Sequence, residues 1–297
     1  MNKLQLKSNI FLSITAVIWG FAFVAQKIGA NYIGAFTFNG VRFALGGLSL
    51  IPLILYFNKE QANNTQRSGS LINALPGGIA AGCALFFAAS LQQVGIAYTS
   101  AGKAAFITGL YIVLVPVIGV ILKHKIHIST WIGGILAVTG LFFISVTERF
   151  TVGTGDLLEL AGAVFWAVHI LSIDYFTKKA NALKLSFVQF ITCSILSIMA
   201  AAIFEDITLY GLNKAMGAIL FGGIFSVGIA YTLQVVGQKH SKPSHAAIIL
   251  SMESVSAAIA GIFILNESLG SRGCLGCFLM LGGMLLSQAK NFSSSTG

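Results

Sequence analysis

The stretch 91–145, LQQVGIAYTSAGKAAFITGLYIVLVPVIGVILKHKIHISTWIGGILAVTGLFFIS, lies without a gap against 233–287, LQVVGQKHSKPSHAAIILSMESVSAAIAGIFILNESLGSRGCLGCFLMLGGMLLS. Identical residues recur at Leu91, Gln92, Val94, Gly95, Ala104, Ala105, Ile107, Gly119, Ser129, Gly134, Gly140 and Ser145, each matched 142 positions later. Nearer the start, Ala16, Val17 and Trp19 match Ala163, Val164 and Trp166, now 147 positions later. The polar loop Asn58 to Ser70 absorbs the change of register, so the chain reads as two copies of one unit, 8–148 and 153–290.

Both copies are too apolar for water. Of 297 residues, 56% are hydrophobic and only 9% charged, and mean hydropathy is +0.86. A soluble domain carries about 25% charged residues, so the bilayer must serve as solvent. Apolar runs able to cross a hydrocarbon core of about 30 Å fall near 9–28, 34–57, 71–97, 101–122 and 129–147 in the first copy, and near 154–177, 184–204, 214–238, 243–265 and 270–288 in the second. The expectation is an all-α membrane protein of ten transmembrane helices. The first run follows Lys3 and Lys7 as a signal peptide would, but it continues to Lys27 with no convincing small-residue cleavage site, and is read as a retained helix.

Charge sets the orientation. With the N-terminus inside, Lys3, Lys7, Lys59, Arg67, Lys123, Lys125, Lys178, Lys179, Lys184, Lys239, Lys242 and Lys290 all fall on the cytoplasmic side, twelve of the eighteen Lys and Arg. The opposite ends collect Glu148, Asp156, Glu205, Asp206 and Glu267. The net charge of +9 therefore reports topology, and without a basic stripe interleaved with aromatics it gives no nucleic-acid partner. Five helices per copy is an odd number, so the second copy is inverted relative to the first. Inverted repeats around a central site are a transporter architecture, because two near-equivalent packings exchange the side that is open. Both halves being fused, a monomer is sufficient.

Several groups of residues carry a resemblance. They are Trp19-Gly20 with Lys27, Arg42-Phe43, Gly109-Leu110-Tyr111 with Val115-Pro116, Ser251-Met252-Glu253-Ser254-Val255, and Leu265-Asn266-Glu267-Ser268-Leu269. Through them the chain, from about Ile10 to Gln288, resembles the ten-helix EamA-like members of the drug/metabolite transporter superfamily. That resemblance implies a small-molecule solute such as a metabolite or amino acid, export as the expected direction, a bacterial plasma membrane, and a solute site among the first, third, fourth, sixth, eighth and ninth helices. Two positions depart from the family pattern: Ser254 where proline is frequent, which removes the residue that would kink the ninth helix, and Asn266 where glycine is frequent.

Glu253 is the sharpest single signal, because a carboxylate midway along an apolar helix is expensive unless paired, protonated or wetted. Desolvation favours a protonated carboxyl able to carry a proton, whereas a neighbouring cation favours a carboxylate that anchors a solute or another helix; both readings stand. Its repeat equivalent is Tyr111, which places a hydroxyl and an acid on opposite walls of one cavity. His169 follows Trp166 by three residues on one helical face, and Trp19 is the repeat equivalent of Trp166; the indoles either line the cavity or pack, and the imidazole either meets the solute or is satisfied by a neighbouring carbonyl. Gln92 and Gln234, also equivalents, present amides to a solute or join helices. Arg42, whose equivalent is the uncharged Gln189, either snorkels, pairs with an acid or meets the solute. Lys103 and His245 are equivalents at opposite mouths, as gates or interfacial anchors. Glu159 is read as shallow enough to reach water, and so as solvated or paired with a loop.

Other chemistries find no support. Cys83, Cys193, Cys274 and Cys277 all lie in apolar runs, and the Cys274/Cys277 spacing lacks a second ligand pair for a metal. The sequence has no P-loop, HExxH or nucleophile motif, so neither a catalytic residue nor a cofactor is expected. An uncoupled facilitator or channel is the alternative to a transporter.

Overall fold

The structure, a computed structural model, describes residues 3–63, 70–99, 101–145, 153–265 and 270–293. Ten helical rods follow one another. They are α1 (Lys3–Ala30), α2 (Ala35–Asn63), α3 (Leu71–Tyr98), α4 (Ala101–Gly109 and Tyr111–Ile121) and α5 (Ile128–Ser145), then α6 (Thr154–Phe176), α7 (Ala182–Phe204), α8 (Leu209–Gln238), α9 (Pro243–Leu250 and Glu253–Leu265) and α10 (Ser271–Ser293). Eight are long and apolar enough to cross a membrane, and α5 and α10 contain shorter apolar helices, Ile128–Phe143 and Ser271–Ser287. Large apolar side chains such as Ile10, Ile14 and Val17 on α1, and Ile198 and Met199 on α7, point outward, as a lipid-facing surface requires. The helix α2 runs to Asn63, into the stretch the sequence read as loop, because apolarity stops at the membrane edge while the helical backbone need not.

The two copies are interlocked. Helix α1 lies against α8 and α9 of the second copy, and α6 lies against α3 and α4 of the first. Equivalent helices also meet each other, and do so antiparallel. On α2, a Cβ added at Gly40 would lie 2.7 Å from Ile198 of α7, and one at Gly47 would lie 2.8 Å from Ile191. As the residue number rises on one helix it falls on its partner. On α5, Gly133 faces Gly283 and Ser287 of α10, while Gly140 faces Gly276 and Met280. Equivalent helices that pack antiparallel are related by a two-fold axis in the membrane plane, which is the inverted repeat. Glycines let these backbones touch where lipid supplies no hydrophobic drive to association.

The junction between copies is capped. Glu205, just past α7, accepts from the backbone N–H groups of Phe36 and Thr37 at 2.8 Å each and from Thr37 Oγ1 at 2.7 Å, satisfying donors that the first turn of α2 leaves orphaned. Lys27 of α1 donates to the carbonyls of Ile96 at 2.7 Å and Thr99 at 2.9 Å, closing the end of α3.

Two rods are broken at one symmetric position. The α4 segments part at Leu110 and the α9 segments at Ser251 and Met252, and Leu110 and Met252 are repeat equivalents. Tight bonds to the third residue back, Leu110 to Ile107 at 3.1 Å and Met252 to Ile249 at 3.1 Å, replace the α-helical ladder there. The break in α9 forms without proline. Ser251 Oγ donates to Ile248 O at 2.8 Å, a back-bond of the kind that bends helices, and Ser254 Oγ reaches across to Ala105 O of α4 at 3.1 Å. A third irregularity is the π-helical stretch Phe221–Tyr231 inside α8, an arrangement frequent at functional sites. Asn266 and Glu267 lie outside the described residues.

Candidate functional site

The breaks in α4 and α9 start their second segments at Tyr111 and Glu253, which are repeat equivalents, and the two side chains meet. Tyr111 Oη donates to Glu253 Oε1 at 2.9 Å, with the residues 3% and 4% exposed. Glu253 Oε2 accepts from no described residue. Both line a central cavity, walled by Trp19, Phe23 and Gln26 of α1, Gln92 of α3, Thr108 of α4, Trp166 and Ile170 of α6, and Ser226, Tyr231 and Gln234 of α8. The lining thus comes from α1, α3, α4, α6, α8 and α9, and from α2 through Arg42.

The aromatic wall is continuous. Trp19 and Trp166, equivalent by repeat, have ring centroids 6.4 Å apart, and Tyr231 packs on both, at 4.5 Å from Trp19 and 6.1 Å from Trp166. The polar groups around them are not symmetric. Gln92 accepts from Trp166 Nε1 at 2.9 Å and donates to Gln26 Oε1 at 3.0 Å, so its amide is engaged within the protein. Its equivalent Gln234 has both amide atoms buried with no hydrogen-bond partner among the described residues, because Trp19 Nε1 points instead to Ser226 O at 3.4 Å. Residue 173, the counterpart of Gln26, is an isoleucine.

His169 is not on the cavity wall. It stands behind it, edge-on to Trp166 at 5.9 Å and to Tyr231 at 6.2 Å, with Nε2 bonded to Gln189 Oε1 at 2.9 Å. It holds the wall in place instead of lining it.

Arg42 differs from its expected setting. It is 1% exposed and faces the cavity, so it does not snorkel, and among the described residues it forms no ion pair with a carboxylate. Its Nε donates to Asn39 Oδ1 at 3.0 Å. Glu159 differs as well: it is fully buried, not solvated, with Oε2 accepting from Thr108 Oγ1 at 2.8 Å and Gly95 leaving room for its side chain. His245 is buried against α10, with Nδ1 3.2 Å from Ser287 Oγ, so it is no headgroup anchor. Lys103 lies in α4, but its side chain is outside the described residues.

Among the lining residues that the sequence does not single out, Tyr231 is central to the aromatic wall. It sits three positions before Gln234, one helical turn away on the same face, and its counterpart in the first copy is Ala89. A phenol on the same face as a mid-membrane amide was the available signal.

A multi-pass membrane protein made of two interlocked inverted repeats, with broken helices meeting at a buried polar pair, is the architecture of a membrane transporter. The EamA-like transporter family model matches residues 6–146 and again 153–288, and the chain belongs to that family. An uncharacterized transporter of Archaeoglobus fulgidus is 30% identical over 93% of this chain and 84% of its own length. The uncharacterized transporters YwfM and YoaV of Bacillus subtilis are 26% and 22% identical, with 95% and 94% of this chain aligned to 93% and 96% of theirs. A solved structure, titled only as the crystal structure of a protein, shares the fold at a TM-score of 0.75 and 16% identity, covering 95% of this chain and 97% of that one.

Proposed function

We propose that this transporter is a secondary carrier for a small metabolite, an amino acid or related solute, working by alternating access in the plasma membrane with both termini cytoplasmic. The observation that carries the proposal is the Tyr111–Glu253 contact. It joins equivalent points of the two copies, at the break in each helix, on the wall of the central cavity. Exchanging the conformations of two such halves turns an opening on one face into an opening on the other while the contact stays central. Glu253 keeps one carboxyl oxygen for a proton or a solute group, Trp19, Trp166 and Tyr231 present apolar faces, and Gln234 offers an unspent amide. Lys103 belongs to this proposal as a charged group near the mouth where α4 starts.

The test is flux into proteoliposomes across a panel of amino acids, amines, nucleosides and sugars, each with and without an imposed pH gradient. Saturable uptake driven uphill by the gradient supports a proton-coupled carrier with Glu253 as the proton site. Uptake that only equilibrates moves Glu253 to solute anchoring. Linear, unsaturable flux contradicts the proposal in favour of a channel.

A further inference from the structure

The pseudo-symmetry isolates Arg42. At the equivalent place in the second copy Gln189 is bonded to His169, so its acceptor oxygen is used within the protein. His169 corresponds to Ala22 in the first copy, and a methyl group offers Arg42 nothing to bond. Both Ala22 and Arg42 line the cavity. Where one half of the molecule joins an amide oxygen to an imidazole, the other has a guanidinium with no residue at the matching place to bond.

The surroundings of that guanidinium define its vacancy in charge. Phe38 and Phe43 lie 5.2 and 5.0 Å from Cζ, and Asn39 Oδ1 accepts Nε–H at 3.0 Å. Asn39 is itself oriented by donating Nδ2–H to Ala89 O at 3.0 Å. Gly222 in the π-helical stretch of α8 leaves room for the stem, since a Cβ there would lie 3.3 Å from Arg42 Cδ. The Nη groups donate to no described residue. Glu253 shares the cavity but is not within ion-pair distance, being bonded to Tyr111. The titratable groups that act on Arg42 are a phenol, Tyr231, and a thiol, Cys193, neither charged near pH 7 at its ordinary value. A guanidinium stays ionised, and a buried unpaired charge is costly. Its remaining donors form a planar fork suited to a carboxylate.

We infer that Arg42 is the anion subsite of the cavity and that the transported solute carries a carboxylate, held by the Nη groups with its apolar body against Trp19 and Tyr231. This rests on the carrier reading above and names its substrate class.

The experiment is isothermal titration calorimetry on the full chain in detergent, with cyclohexanecarboxylate, isobutyrate and phenylacetate, each beside its own amide. The expected result is binding of the carboxylates at least tenfold tighter than the amides in the wild type. Arg42→Gln, which installs the side chain found at position 189, should erase that preference, and Arg42→Lys should restore part of it. Where Arg42→Gln fails to run as a single folded species by gel filtration, the wild-type contrast and Arg42→Lys decide. Equal binding of acids and amides, no binding of any carboxylate, or a preference unchanged in the variants would overturn the inference. So would sodium chloride alone abolishing the preference competitively at low millimolar levels, which assigns the site to a resident halide. An Arg42-dependent preference without any transport would sink the carrier reading alone. Saturable counterflow in which Arg42→Gln leaves acid and amide equally well transported, as in the wild type, would sink only the carboxylate.

Discussion

Replacing Tyr111 with phenylalanine removes one hydroxyl and leaves a ring in the same buried apolar cluster as Trp19 and Val115. What is lost is the 2.9 Å bond to Glu253. Its worth depends on the charge of the acceptor. Between neutral groups on membrane helices such bonds are worth about 0.6–1.7 kcal/mol, which is roughly three- to twentyfold. A bond to an ionised carboxylate is worth about 1.5–3 kcal/mol, roughly ten- to 150-fold. The assay is a double-mutant cycle on kcat/KM in proteoliposomes, with Tyr111→Phe, Glu253→Leu, which removes the acceptor, and the double variant, using whichever solute shows saturable uptake. Both single variants should slow transport, and the double variant should be no slower than Glu253→Leu alone, since the hydroxyl has then lost its acceptor. A coupling below about fivefold would report a neutral partner, and one above about twentyfold a carboxylate. Losses that simply multiply, leaving no coupling at all, would refute the pair as a functional unit.

Four further outcomes follow from the packing. Gly140→Ala places a methyl 2.5 Å from Gly276 O and 2.8 Å from Met280 N, backbone atoms that cannot step aside, so it should cost about 1–3 kcal/mol and lower the detergent melting temperature. Gly134→Ala meets nothing within 4 Å and should melt like the wild type. Glu205→Ala orphans the donors at the start of α2 and should destabilise by about 1–2 kcal/mol, read as an earlier thermal midpoint, with Glu205→Gln intermediate. Trp166→Phe breaks a 2.9 Å bond to Gln92 whereas Trp19→Phe breaks only a 3.4 Å one, so the former should impair transport more at equal expression.

The fold was legible because duplication leaves a mark that composition cannot erase. Gln92 and Gln234, or Trp19 and Trp166, recur because the interior positions they fill recur. What a single chain of letters does not give is the neighbour across the interface. Arg42 lies only a turn or two from a helix end, which suits snorkelling, and nothing in its own helix says that Gly222 of α8 has opened a slot for it inside. Glu159 was misplaced for the same reason: its shelter is made by Gly95 and Thr108 on other helices. The break in α9 escaped a rule built on proline because it occurs at Ser251, whose hydroxyl back-bonds to Ile248 O, with no proline there. His169 was seen as a face-mate of Trp166, which it is, but only the tertiary arrangement shows that Gln189 holds it behind the wall.

The most direct test of the account is counterflow. Proteoliposomes are loaded with a high concentration of unlabelled solute, diluted, and offered a trace of the same solute with a label. A carrier that exposes one central site alternately to the two faces must draw the label in transiently above its equilibrium level, and Glu253→Gln should alter that overshoot. Label that rises to equilibrium without overshoot, at a rate indifferent to the trans solute, would contradict alternating access.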